Sequence, residues 1–316
     1  MTLPTQLTHR GRTVLLKYHR LLSGDHPHPP NSLSALRHVL DGGAAVIEFD
    51  VGVAGDGGFV LNHDAMLDRE TTGRGPLASV TAAEFTRLRL RDSEEPTAVL
   101  ADAVGILRRV QRPLKVQVDF KEVRPVAAET AAALLAALAP LRADSHIQVV
   151  VGCLADWNLR TLRRVDPALA VGLDFLLYLD TPGEEGLRLP HRVNAYGYMD
   201  DHPLGYRRTL PVGLYLEDRI ESLLTLLPAA REIYLHKGFV QQALRDGVNP
   251  IALVHRLRPD ILVDVWTINA GDADFPSCLA SALEAGAQQI TTDTPVQLAR
   301  HVAAVLAPAE HRLVQP

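Results

Sequence analysis

An α/β fold closed as a (β/α)8 barrel is predicted by three features of this 316-residue chain. Short apolar runs alternate with amphipathic stretches from one end to the other, the pattern of parallel strands joined by helical crossovers. Eight such runs occur, and ~250 residues is the usual size of an eight-stranded barrel, with insertions common. Polar residues stand at the ends of five of these runs, where a barrel places its site. A doubly wound sheet is the other arrangement open to the same alternation.

The elements follow in order. A first strand is expected at 14–18, ending in Tyr18-His19-Arg20, then a loop, Gly24-Asp25-His26-Pro27-His28-Pro29-Pro30, that reads as an exposed connection. A helix at 32–41 leads to the second strand, 44–51, and Gly55-Asp56-Gly57-Gly58 fits a turn between Val53 and Phe59. Helices at 82–88 and 97–110 precede the third strand, 114–121. The helix at 125–141 rests on residues 127–138, which strong helix formers dominate. Strand 146–151, helix 155–165 and strand 168–175 come next. From 176 to 216 Pro, Gly and Tyr are frequent and helical periodicity is lost, so an irregular insertion, placed where it could cover the barrel mouth, is expected. The rest reads as helix 217–229, strand 232–236, helices 240–247 and 251–257, strand 261–268, helix 275–285 and strand 288–292. No repeat, low-complexity tract or linker divides the chain, so a single domain over 1–316, with a core of about 13–305, is expected.

Composition narrows the function. At 47% hydrophobic and 22% charged the chain is ordinary for a globular protein. A net charge of -5 offers no general attraction to nucleic acid or anionic membrane, so neither is an expected partner. Cys153 and Cys278 show no Cys-x-x-Cys spacing, and reduced, buried thiols are expected. The first dozen residues lack the apolar run of a signal peptide, and no window approaches the ~20 apolar residues of a membrane span. Cytoplasmic residence is therefore the default expectation.

The most informative stretch is Val46-Ile47-Glu48-Phe49-Asp50-Val51, preceded by His19-Arg20 and followed by Asn62-His63-Asp64. Side chains alternate across a strand, so Glu48 and Asp50 project together while Ile47, Phe49 and Val51 project the other way. Two carboxylates about 4 Å apart repel by roughly 4 kcal/mol at an effective dielectric of 20, unless a proton or cation lies between them. The same alternation puts Gln117, Asp119 and Lys121 on one face of the third strand, so Asp119 can add a third oxygen ligand. Three carboxylates suit Mg2+ or Ca2+, whereas zinc calls for more nitrogen or sulfur.

His19 and His63 are the acid/base candidates, because imidazole gives or takes a proton near neutral pH. Arg20 and Lys121 bring fixed positive charge for a phosphate, or for pairing with the acids. His236, after the sixth strand, and Trp266, at the end of the seventh, are candidates for contact with substrate. His26 and His28 read as exposed loop residues. No P-loop, dinucleotide fingerprint or Gly-x-Ser-x-Gly elbow is present.

In this order the motifs resemble the glycerophosphodiester phosphodiesterase family: His19-Arg20, Asn31-Ser32-Leu33, Gly43 to Val51, Asp56-Gly57, Asn62-His63-Asp64, Leu67-Asp68-Arg69, Thr71-Thr72-Gly73, Trp266-Thr267-Ile268-Asn269 and Thr291-Thr292-Asp293-Thr294-Pro295. The resemblance implies a barrel enzyme that cleaves phosphodiesters, such as glycerophosphocholine or a lysophospholipid, with a divalent metal. It matches Glu48, Asp50 and Asp119 to the metal ligands, His19 and His63 to the catalytic pair, and Arg20 and Lys121 to the phosphate-holding groups. Three departures are visible. Leu21 stands where the family has glycine, so glycine-only angles are closed there and a different first loop is expected. Pro29-Pro30-Asn31-Ser32 lacks the glutamate of the family's Pro-Glu-Asn-Thr element. Asp119 replaces a glutamate common in the hydrolases and is similar to the sphingomyelinase D-like phospholipases, which form a cyclic phosphate by internal attack. Water attack yielding glycerol 3-phosphate, cyclisation, a monoester phosphatase and a barrel that binds without turning over stay open at this point.

Overall fold

The computed structural model describes residues 2–183 and 191–306, so the ends of the expected 1–316 domain and part of the 176–216 segment lie outside the described residues. A hairpin opens the chain, with β1 (Gln6–His9) antiparallel to β2 (Arg12–Tyr18) across Arg10 and Gly11, both at positive φ. This β1 was not expected, since its four residues are too few to show a period. Next come α1 (Leu33–Asp41), capped by the Ser32 hydroxyl accepting from the Ala35 amide at 3.0 Å, and β3 (Val46–Val53). The expected glycine turn closes a second hairpin from β3 to β4 (Phe59–Val60). The one-turn α2 (Ala82–Phe85) starts in a capping box of Thr81 and Glu84, and α3 (Leu100–Leu107) precedes β5 (Leu114–Phe120).

The alternation continues through α4 (Ala128–Arg142), β6 (Ile147–Cys153), α5 (Asp156–Val165) and β7 (Ala170–Asp174). The segment expected to be irregular contains a small antiparallel sheet of β8 (Leu179–Asp180), β9 (Arg192–Val193) and β10 (Met199–Asp200). Its last residues already belong to α6 (Val212–Leu226), and buried Arg219 of that helix donates to Asp200 at 2.9 Å, tying helix to sheet. Then follow β11 (Glu232–His236), α7 (Lys237–Arg245), α8 (Pro250–Leu257), β12 (Leu262–Trp266), α9 (Phe275–Ala285), β13 (Gln289–Thr292) and α10 (Pro295–Leu306), the last not foreseen.

β2, β3, β5, β6, β7, β11, β12 and β13 pair in that order, all parallel, and β13 pairs back onto β2. The sheet is thus a closed (β/α)8 barrel, built from the eight predicted strands, and the doubly wound alternative is excluded. Outward-facing Ile47, Phe49, Val51, Val116, Val118, Phe120, Val263, Val265 and Ile290 are buried against the helices, where the main apolar core lies.

The barrel interior is polar instead. Lys17 pairs with Asp264 at 3.0 Å, donates to Gln117, and lies 4.4 Å from the centre of the Tyr234 ring. Thr291 and Gln289 donate to the same Asp264, and Lys115 reaches across to Glu232 at 2.6 Å. Gly152 and Gly172 make room for the Tyr234 ring, which a side chain at either position would strike. Removing one partner of a buried ion pair leaves the other charge uncompensated, at a cost of about 3–5 kcal/mol. Lys17→Met is therefore expected to lose about that much unfolding free energy in urea, a loss absent from a variant at exposed Lys or Arg positions.

Candidate active site

Strand alternation in β3 turns Glu48 and Asp50 into the barrel, where they are 2% and 0% exposed. Asp50 is the register partner of Asp119 on the neighbouring β5. One carboxylate oxygen from each of Glu48, Asp50 and Asp119 lies within 4.8 Å of the others. Lys121 reaches back to this trio, 2.8 Å from Asp50 Oδ1 and in a hydrogen bond with Asp119. Asn31, at the end of the first loop, both donates to Asp50 Oδ2 at 2.8 Å and accepts from the Asp50 amide at 3.0 Å. The altered Pro-Glu-Asn-Thr element therefore still anchors an acid of the trio.

Arg20 and Leu21 sit at φ 48° and 67°, with Leu21 1% exposed. Leucine takes the left-handed conformation here, which is open to L-residues at a cost of about 1–2 kcal/mol, and its side chain is buried in the core. In this turn the Arg20 amide donates to Glu48 Oε2 at 2.7 Å. Glu48 Oε1 is buried with no hydrogen-bond partner.

The charges follow from that geometry. Burial, then the like charges of Asp50 and Asp119, push the Glu48 carboxyl well above its ordinary range. Burial works most strongly against ionised Asp50 too, but the Lys121 ammonium, His63 and His19 together outweigh it and hold this carboxyl well below the usual range. Burial would strip the Lys121 proton, yet Asp119, Asp50 and Glu48 keep it on more firmly than in water. An all-oxygen donor set containing one buried, unpartnered oxygen fits a hard divalent cation.

Two histidine–carboxylate pairs accompany the trio. His19 Nδ1 is 2.8 Å from Asp293 Oδ1, and Asn269 fixes that aspartate by donating to Oδ2 and accepting from its amide, both at 2.8 Å. Arg20 lies 3.7 Å from the same carboxylate. His63 Nδ1 is 2.7 Å from Asp64 Oδ1, Asp64 is clasped by Arg69 at 2.6 and 2.7 Å, and the His63 amide donates to Glu70 at 2.8 Å. With Nδ1 engaged, Nε2 is the ring nitrogen each histidine has left for proton transfer. His19, Arg20, Glu48, His63, Asp119, Lys121 and Trp266 all line one cavity of about 340 Å³ at the C-terminal ends of the strands, with Asp50 beneath it.

His236 does not line that cavity. Asp180 holds its Nδ1 at 3.1 Å, and its ring lies 5.1 Å from that of Trp266, through which it touches the site's edge. Of the 176–216 segment, only Leu176 among the described residues lines the cavity. Asn269 and Asp293 stand among the polar strand ends expected at the site, though without the Asp293 contact to His19, while the roles of Asp64 and Asp174 were missed; Asp174 closes β7, so the same strand-end rule could have found it.

Asp174 accepts from the Leu176 amide at 2.8 Å. Burial, with the charges of Asp119 and Asp180 acting in the same direction, pushes its carboxyl up to about 8. The unfolded chain releases this proton near pH 4 and the folded one near 8, so stability is lost as pH rises across that window. Asp174→Asn is expected to flatten that decline, read as Tm against pH from 4 to 9.

An acid trio beside two carboxylate-oriented imidazoles, at the mouth of a (β/α)8 barrel, defines a site suited to proton transfer next to a hard cation. Comparison with known proteins narrows this class. Residues 19–297 match the model of the glycerophosphoryl diester phosphodiesterase family, and the chain belongs to that family. It is 40% identical over 65 residues to glycerophosphodiester phosphodiesterase 1 of Bos taurus, a stretch covering 21% of this chain and 20% of the relative, so only about a fifth of that protein's length is spanned. Among solved structures it is similar to an Oleispira antarctica phosphodiesterase in complex with the product sn-glycerol-3-phosphate (TM-score 0.61, 18% identity, 92% of this chain and 96% of that one). The glycerophosphodiester phosphodiesterase of Thermotoga maritima is likewise similar (TM-score 0.58, 16% identity, 93% and 99%).

Proposed function

We propose that this chain is a metal-dependent phosphoric diester hydrolase that cleaves glycerophosphodiesters, such as glycerophosphocholine, to an alcohol and glycerol 3-phosphate. The observation that carries the reading is the meeting of Glu48, Asp50 and Asp119 with His19 and His63 around one cavity. The Oleispira relative's bound product, sn-glycerol-3-phosphate, supports the same substrate class. The barrel core, about 13–305, acts as one domain in this reading.

Glu48, Asp50 and Asp119 would hold Mg2+ or Ca2+, which when bound neutralises charge growing on a nonbridging phosphate oxygen. Arg20 and Lys121 add fixed positive charge on the same side. Either His19 or His63 takes the proton of the attacking hydroxyl at Nε2, and the other delivers one to the departing alkoxide. Asp293 and Asp64 favour the Nδ1–H tautomer and stabilise the imidazolium that forms. Trp266 offers an apolar wall to the alcohol.

The test is phosphorus NMR of glycerophosphocholine and, in parallel, a lysophospholipid, with Mg2+ or Ca2+ against a chelator. Metal-dependent release of glycerol 3-phosphate is expected from the first. Asp119, the residue that departs from the family's glutamate, favours a second reading in which a substrate hydroxyl attacks; a cyclic phosphate would mark it. Binding without any product would leave only a ligand-binding barrel.

A further inference from the structure

The first loop carries a cluster that the barrel mouth does not use. His26 and His28 stack with ring centres 3.8 Å apart, and His38, on α1, lies 4.8 and 5.3 Å from them. One ring nitrogen from each falls within 4.8 Å of the others. Asp25 Oδ1 stands 3.6 Å from His38 Nε2, a buried nitrogen with no hydrogen bond. We propose that His26, His28 and His38, with Asp25 as fourth ligand, form a zinc site separate from the acid trio.

The chemistry distinguishes the two places. Three imidazoles and one carboxylate suit zinc and its transition-metal neighbours, whereas the all-oxygen trio suits magnesium or calcium. Ligand atoms around tetrahedral zinc, at a Zn–N distance of about 2.1 Å, lie about 3.4 Å from one another. Asp25 is placed beside His38 alone, so closing such a site would require the side chains of Asp25, His26 and His28, all on the loop, to rotate inward. Pro27, Pro29 and Pro30 restrict that loop before any metal arrives and so lower the cost of ordering it.

The position gives such a site a mechanical role. The loop runs from Arg20 to Asn31, which bonds Asp50, and Gln297 of α10 donates to the Gly24 carbonyl midway. Zinc would fasten its centre to α1 through His38. The proposal does not depend on the hydrolase reading, since its readout is metal binding.

The experiment titrates the full chain with Zn2+ against a chromogenic chelator, in excess Mg2+ to fill the acid trio, and repeats it with Co2+ to record visible d–d bands. One zinc per chain and a tetrahedral cobalt spectrum are expected. The double variant His26→Ala/His28→Ala, exposed and half-buried loop positions respectively, should lose at least about 10-fold in affinity together with the spectrum, while Glu48→Ala should keep both. Zinc binding unchanged in the double variant, zinc lost only with Glu48→Ala, or no zinc bound by the parent chain would each overturn the proposal.

Discussion

Alanine at His19 or at His63 is expected to lower kcat on a glycerophosphodiester by ~10²–10⁴ with little change in KM, the usual size of an acid–base contribution. The expectation rests on two matched pairs: each imidazole has Nδ1 on a carboxylate, Asp293 at 2.8 Å or Asp64 at 2.7 Å, and each lines the same cavity. A merely structural histidine would show its loss in folding rather than in the pH profile. Here each variant should lose one limb of a bell-shaped kcat profile while Tm stays near that of the parent. Asp293→Asn should reproduce part of the His19 loss, because the amide no longer favours the right tautomer. Normal turnover in both histidine variants would remove them from the chemistry.

Glu48→Gln and Asp50→Ala are expected to abolish metal-dependent turnover, as is exhaustive chelation of the parent. Glu48, Asp50 and Asp119 carry three negative charges when ionised and Lys121 one positive, leaving two for a divalent ion to balance. Thermal shift separates this from simple misfolding. Without metal, buried Glu48 keeps its proton to a pH well above 4.5, where the unfolded chain gives it up, so the parent loses stability as pH rises from there. Glutamine has no proton to lose, and the metal-free Glu48→Gln protein should be at least as stable as the parent at neutral pH. The parent should gain about 2.7 kcal/mol at a metal concentration 100 times its Kd, and the variant should gain little. Activity that survives chelation would exclude the metal.

The barrel was legible because its eight strands are apolar runs of the length a buried strand needs, and all eight took their places. Period-two alternation was enough to bring Glu48, Asp50 and Asp119 to one face, where the structure has them. Other features lack a local signal. β1 and the small β8–β10–β9 sheet are too short to display a period, and α6 begins at Val212 inside a stretch whose Pro, Gly and Tyr content suggested a loop. The Asp293 contact with His19 joins residues 274 positions apart, which only barrel closure brings together. Leu21 shows the limit of reading a motif by residue type: glycine is the easiest occupant of a left-handed turn, but a buried leucine can offset the strain through packing.

The charged floor beneath the cavity limits how this barrel can change over time. Lys17 answers to Asp264 and Gln117 at once, and Lys115 to Glu232 from across the barrel. Any one of these exchanged alone strands a neighbour, and only apolar replacement of every partner in the network at once avoids that cost. Descendants of this chain are therefore channelled: innovation at the rim can proceed residue by residue, while renovation of the basement must arrive as simultaneous partners.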